Sequence, residues 1–244
     1  MLRKLIMLIA ATQCIFAINA NAAVVDGVNV TSGPFVSTSD TVFQFLEATP
    51  DSEFMAWGIV DTSSSSTTCG SCELTFVAKD YVKVDSLGSQ TFYRDGTISF
   101  YVDQTPNFDG SIDTAQDGSL WLELAGHNTP AVINGISTMV SFIGTINTGF
   151  GSISSLTGEG IVDVVGGPAA ALFDTNEQVA GSDLLFSSTF TANSQGVFQG
   201  QSGLSSFGSG TFTGETIPEP AAIALFGLGL IGMAGASRRR YAKK

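Results

Sequence analysis

The sequence predicts an all-β body, an antiparallel β-sandwich or jelly-roll-like fold, flanked by an N-terminal signal peptide and a single C-terminal membrane helix. Three observations carry this. Between residues 23 and 216, short apolar or alternating runs are separated by Gly, Asp, Asn, Ser and Pro, which is how antiparallel strands joined by tight turns read. No segment of that body shows the 3.6-residue apolar period of a helix. The two longest apolar runs lie at the two ends, each beside basic residues.

At the first end, Arg3 and Lys4 precede an apolar run over residues 5–18 that breaks into Ala20-Asn21-Ala22. A charged start, a short apolar stretch and a small-x-small triplet make a secretory signal peptide, residues 1–22, with signal peptidase cutting after Ala22. Gln13 stands before Cys14, where a lipoprotein signal needs Gly or Ala.

Nine strand-like runs follow: residues 42–46, 54–60, 74–84, 97–102, 119–124, 140–146, 160–165, 184–191 and 210–213. The fourth shows its pleat plainly, with Ile98, Phe100 and Val102 on one face and Thr97, Ser99 and Tyr101 on the other. Turns every dozen or so positions suggest two packed layers, with loops such as 106–118 connecting at the ends. Phe recurs within the runs, at Phe43, Phe45, Phe76, Phe100, Phe142, Phe186 and Phe190, as expected of a packed interior. The β-rich body is assigned to residues 23–200. Residues 201–216, rich in Gly, Ser and Thr, read either as a flexible stalk or as a last strand.

At the far end, residues 217–244 form a separate tail. Pro218 and Pro220 stop any strand before them, residues 221–236 are uninterrupted apolar sequence, and Arg238, Arg239, Arg240, Lys243 and Lys244 follow. A helix over that run spans about 24 Å at about 1.5 Å per residue, enough to enter a bilayer upright with the arginines at its surface. The cationic end stays cytoplasmic by the positive-inside rule, which places the body outside.

Charge narrows the function classes. Residues 23–220 hold three basic residues, Lys79, Lys83 and Arg94, against twenty-two acids, a net −19. Such a surface repels nucleic acid and anionic lipid, and suits divalent cations or matrix polycations.

Candidate chemistry is sparse. Cys69-Gly70-Ser71-Cys72 holds the only two cysteines after the signal peptide, and in an oxidising compartment they are expected to form a disulfide. Asp103, Asn107, Asp109, Asp113 and Asp117 share one loop, where they serve either as calcium ligands or as turn-forming residues, without EF-hand spacing. Calcium is the one cofactor this suggests. The sole histidine, His127, sits between Gly126 and Asn128 in a turn, and no Gly-x-Ser-x-Gly elbow occurs. No catalytic residue is assigned, and the protein is not expected to be an enzyme. Trp57 and Trp121 lie within apolar runs and read as core.

The tail permits a resemblance to be stated. Ile217-Pro218-Glu219-Pro220, the apolar run and Arg238, Arg239 and Arg240 together resemble the PEP-CTERM sorting signal of Gram-negative bacteria. The resemblance implies recognition and cleavage near Pro218-Glu219-Pro220 by an inner-membrane exosortase, with transient residence in that membrane. Delivery to the cell surface or extracellular matrix would follow, in species that make exopolysaccharide. Phe173-Asp174-Thr175-Asn176 together with residues 183–190 also resembles the body of floc-associated PEP-CTERM proteins. The expected function is therefore a noncatalytic surface or matrix protein contributing to exopolysaccharide-associated aggregation in flocs or biofilm. A carbohydrate-binding module is the alternative, and a glycosidase the next.

Overall fold

A computed structural model describes residues 23–47, 53–63, 65–149, 152–192 and 203–217. The predicted signal peptide and the residues from Pro218 onward, with the expected membrane helix, lie outside the described residues. Among the described residues no helix is long and apolar enough to cross a membrane.

Fourteen strands account for most of the described chain. They are β1 (Ala23–Val25), β2 (Val28–Val30), β3 (Gly33–Glu47), β4 (Glu53–Asp61), β5 (Thr67–Cys69), β6 (Glu73–Leu87) and β7 (Gln90–Asp103). There follow the single-turn helix α1 (Ile112–Ala115), then β8 (Ser119–Gly126), β9 (Thr129–Ile133), β10 (Ile136–Val140), β11 (Phe142–Gly149) and β12 (Ser152–Gly166). A second helical turn, α2 (Ala170–Phe173), precedes β13 (Leu184–Ala192) and β14 (Gly203–Thr216). The Gly/Ser/Thr-rich stretch is thus a strand.

The sandwich expectation is corrected by the topology. One sheet runs β3-β4-β6-β7, continues through β8 and β11, then β12-β13-β14, and β14 pairs back onto β3. It is an up-and-down antiparallel barrel with eight positions around its circumference. The half-length strands β8 and β11 share one position end to end, since both pair with β7 and with β12. Sandwich and barrel demand the same in-out alternation, so the pattern cannot separate them. What closes this sheet is strand length and bending. β3, β6 and β12 are each 15 residues long, and the β3–β4 and β14–β3 ladders carry register shifts at 38/41 and at 208/210. Bulges of this kind bend and coil strands until the two edges meet, leaving no edge to aggregate.

The inward face is aromatic. Phe54, Phe76, Phe100, Phe142, Phe186, Phe190 and Phe212 are all buried there with Tyr81 and Tyr93. Phe186 stacks on Phe212 at 4.8 Å, Phe100 meets Phe212 edge-on at 5.0 Å, and Phe54 stacks on Phe142 at 5.0 Å. Burial pushes the Tyr93 phenol up to about 12 and raises Tyr81 further. Gly158 is required beside this stack, because a Cβ there would overlap the Phe142 ring. Ile98, Phe100 and Val102 face inward as their alternation predicts.

A smaller cluster lies outside the wall. Phe45, Trp57, Val77 and Ala115 pack there with Phe43, Tyr101 and Phe108. The loop over residues 104–118, which contains the predicted connection 106–118, joins β7 to β8 at one end of the barrel and folds over the wall of β4 and β6 to cover this cluster. Trp57 Nε1 donates to the Gly110 carbonyl at 3.0 Å, and Thr75 Oγ1 donates to the Ala115 carbonyl at 2.8 Å.

Phe142 touches Phe54, Tyr81, Tyr93 and Phe186. Phe142→Ala should lower stability by about 3–5 kcal/mol, the range for deleting a core aromatic, as read by urea denaturation. A loss under about 1 kcal/mol would show that this ring is not central to the core.

Candidate functional site

The barrel has two unlike ends. β3, β6, β8 and β13 begin, and β4, β7, β12 and β14 finish, at the same pole, the one from which the chain runs on past Thr216. The small sheet β1-β2-β5 caps this exit pole together with the segment over residues 167–183. Phe173 plugs it, edge-on to Phe35 at 4.8 Å and to Trp121 at 5.8 Å. Trp121 Nε1 donates to the Val25 carbonyl at 3.1 Å, tying β1 to β8.

Two buried carboxylates fasten the long connections here. Glu73, the first residue of β6, accepts from the Asn107 and Phe108 amides at 2.9 and 3.0 Å and so holds the 104–118 loop. Asp183, just before β13, accepts from the Val164, Thr175 and Asn176 amides at 2.7, 2.7 and 2.6 Å. Only 2% of Asp183 is exposed. A carboxylate that satisfies three amides replaces the backbone pairing a loop lacks, and charge-assisted bonds are the strong ones. Phe173-Asp174-Thr175-Asn176 and Asp183 therefore form one physical unit. Sequence reading missed both anchors. The only signal is an acid standing directly before a strongly apolar run, as in Glu73-Leu74 and Asp183-Leu184-Leu185-Phe186.

The predicted ligand loop is held together by its own turns. Asp103 accepts from the Thr105 amide at 2.8 Å, Asn107 Nδ2 donates to Asp117 at 2.9 Å, and Asp113 lies in α1. Asp109 accepts from the Ser111 amide at 2.9 Å and from Thr114 Oγ1 at 2.8 Å. The Ser111 amide first, then the Ser111 and Thr114 hydroxyls, hold its carboxyl down at about 2. These side chains do not converge: among the described residues no group of three or more His, Cys, Asp or Glu is placed to hold a metal. Cys69 and Cys72 are joined by a disulfide, with Cα atoms 5.4 Å apart, immediately before Glu73.

His127 lies where β8 gives way to β11. Its amide donates to the Ile161 carbonyl at 2.8 Å and its Nδ1 meets the Asp163 carboxylate at 2.8 Å. Ser141 completes the joint by donating through Oγ to the Asp95 carbonyl at 2.7 Å. Gly126 is needed there, since a Cβ would overlap that same carbonyl. The histidine thus fastens a split strand.

The barrel interior offers little room. A void of about 30 Å³ lies beside Phe54, Phe142 and Ser188, whose hydroxyl is buried without a protein partner, and it is the size of one water. A shallow groove of about 500 Å³ lies on the outer wall, between Ile143, Ile161, Leu185 and Val179, with Glu159, Ser187 and Thr213 also lining it.

The exit pole leads straight into the sorting sequence. β14 remains paired through Thr216, and the Ile217 amide donates to the Leu172 carbonyl at 2.8 Å. Fold and tail together define a closed, filled barrel whose last strand passes directly into a Pro-Glu-Pro segment. The family model of the PEP-CTERM protein-sorting motif matches residues 216–240. The chain thus carries a PEP-CTERM sorting motif, which supports export and implies an exosortase as its processing partner. No curated protein and no solved structure matches it significantly.

Asp183→Asn should cost about 2 kcal/mol, the scale of hydrogen bonds to a charged group, whereas exposed Glu177→Gln should stay within about 0.5 kcal/mol. Equal stability of the two variants in thermal unfolding would refute the anchor. Because the Asp109 carboxyl is lowered, its ordering of the loop persists below the ordinary carboxylate range and is lost as pH falls through about 2. Carboxyl NMR titration should give that midpoint, and one at the ordinary value would show its hydrogen bonds are not kept in solution.

Proposed function

We propose that the mature barrel is a noncatalytic component of the cell surface or extracellular matrix of a Gram-negative bacterium, contributing to exopolysaccharide-associated aggregation in flocs or biofilm. The observation that carries this reading is the sorting motif on a barrel whose interior is filled. Barrels that carry small ligands keep an internal cavity, whereas among the described residues the void beside Phe142 measures about 30 Å³. Most outward positions on β13 and β14 are hydroxyls, namely Ser187, Thr189, Thr191, Ser209, Thr211 and Thr213, with Leu185 and Phe207 the apolar exceptions. A membrane-spanning barrel has the reverse arrangement, an apolar outer band. A hydroxyl-rich, acidic wall suits a hydrated polysaccharide matrix, in which polymer hydroxyls and bridging cations supply many weak contacts. The second reading, a carbohydrate-binding module, rests on the outer groove with its apolar floor and its hydroxyl and carboxylate lining. Buried Trp57 and Trp121 are unable to stack on sugar rings, which favours the first reading.

Deleting the gene in its native host should reduce floc or biofilm cohesion, and re-expression should restore it. The mature protein should have lost the residues after about 220, as intact-mass spectrometry would show. Unchanged cohesion in the deletion strain would defeat the aggregation reading. Selective binding on a glycan array, abolished by filling the groove with Ser187→Trp, would favour the second.

A further inference from the structure

The sorting motif begins with almost no chain between it and the barrel. Pro218 follows Ile217 directly, and an extended residue spans only about 3.3 Å. A cleft that cleaves an extended peptide near Pro218-Glu219-Pro220 takes hold of residues on both sides of the bond it breaks. The residues on the amino-terminal side are the last of β14, and they are folded.

Their attachment is local and unusual. β13 begins opposite Gly214, so Glu215 and Thr216 extend beyond it with β3 alone as a strand neighbour, and Ile217 lies past the end of the ladder. Thr216 lies opposite Gly33 at the end of that ladder, and its hydroxyl is buried, only 6% of the residue being exposed. Its Oγ1 accepts from the Gly33 amide at 2.8 Å and lies 3.0 and 3.1 Å from the Thr31 and Gly33 carbonyls, to one of which it donates. On the other side the Ile217 amide is held by the Leu172 carbonyl of α2. Beyond the end of the ladder with β3, one side-chain hydroxyl and one backbone bond to α2 hold the last residues before the motif.

We propose that Thr216 and Ile217 form a latch that limits exosortase access: the enzyme engages the motif when Glu215, Thr216 and Ile217 peel away from β3 and α2. This rests on the exosortase reading of the tail and adds a regulatory step to it, since stability at the end of β14 sets how much precursor is competent for sorting. The rest of the barrel stays closed, because the β14–β13 pairing begins only at Gly214.

The test uses the full chain in a host that carries an exosortase, with pulse-chase labelling and intact mass to follow loss of the tail. Inserting Gly-Ser-Gly-Ser between Ile217 and Pro218 supplies slack without changing any barrel residue. Thr216→Val removes the hydroxyl, and Thr216→Ser keeps it. The insertion and Thr216→Val should each speed tail removal on the order of fivefold, the population change that one net hydrogen bond commands, while Thr216→Ser should match wild type. Should Thr216→Val fail to fold, the insertion decides alone. Tail removal at the wild-type rate or slower in the insertion variant would overturn the latch and leave the sorting reading standing. A wild-type precursor that keeps its tail in that host would overturn both.

Discussion

The ladder between β14 and β3 is the constraint on which the rest of the structure depends, because it turns an open meander into a barrel. Without it, β3 and β14 would each present a row of unpaired amides and carbonyls, and the aromatic interior would open to water along the seam. The seam joins residues as far as 183 positions apart, as in the Gly33–Thr216 contact. Such a pairing repays its loop-closure entropy only after the intervening hairpins exist, so it is expected late in folding. Closure and presentation of the sorting sequence are thus one event, since the strand that completes the barrel is the strand that leads out of it.

A filled barrel trades one capability for another. An interior packed with phenylalanine is rigid and gives up the central cavity in which small barrels bind ligands. The outer wall has two characters: hydroxyls over β13 and β14, and the aromatic cluster of Phe43, Phe45 and Trp57 under the 104–118 loop. Phe207, 43% exposed, extends that cluster to the open surface at 5.4 Å from Phe43. The Glu73 clasp keeps the loop seated together with the Trp57–Gly110 and Thr75–Ala115 bonds, so few contacts control how much of this apolar surface is covered.

Much of this was legible in the residues. Eight of the nine strand-like runs fall within observed strands, and the run 140–146 spans the break at Ser141 between β10 and β11, because inward apolar residues recur at every second position in them. Their ends were read short, since Gly and Ser in β3, β12 and β14 look like turn residues when the partner strand that demands them is unknown. The β9–β10 hairpin was missed although Asn134-Gly135, both with positive φ, spells its turn. Closure was not legible, because a bulge at 38/41 or 208/210 has no signature beyond small residues that loops share. Nor were the anchors: Asp183 and Asp174 look alike in sequence, and only burial against three amides makes one of them structural. The acidic loop shows the converse, as the residues that suggest a cation site in sequence also make its Asx turns.

The exit pole also has an electrostatic character that bears on the stage when the tail still sits in a membrane. Asp26, Asp61, Asp103, Asp117, Asp174 and Glu215 occupy its turns and strand ends, whereas Lys79, Lys83 and Arg94 lie along β6 and β7. An anionic lipid surface repels such a pole, and at physiological ionic strength the repulsion is screened over about 8 Å. That is roughly the reach of two or three extended residues. The same force pulls along the chain at Ile217, away from Leu172 and Gly33, so the charge of the pole and the weakness of the last rungs act in one direction. Divalent cations would relax that tension by bridging carboxylates to headgroups, which makes the ionic conditions outside the cell part of the balance at the end of β14.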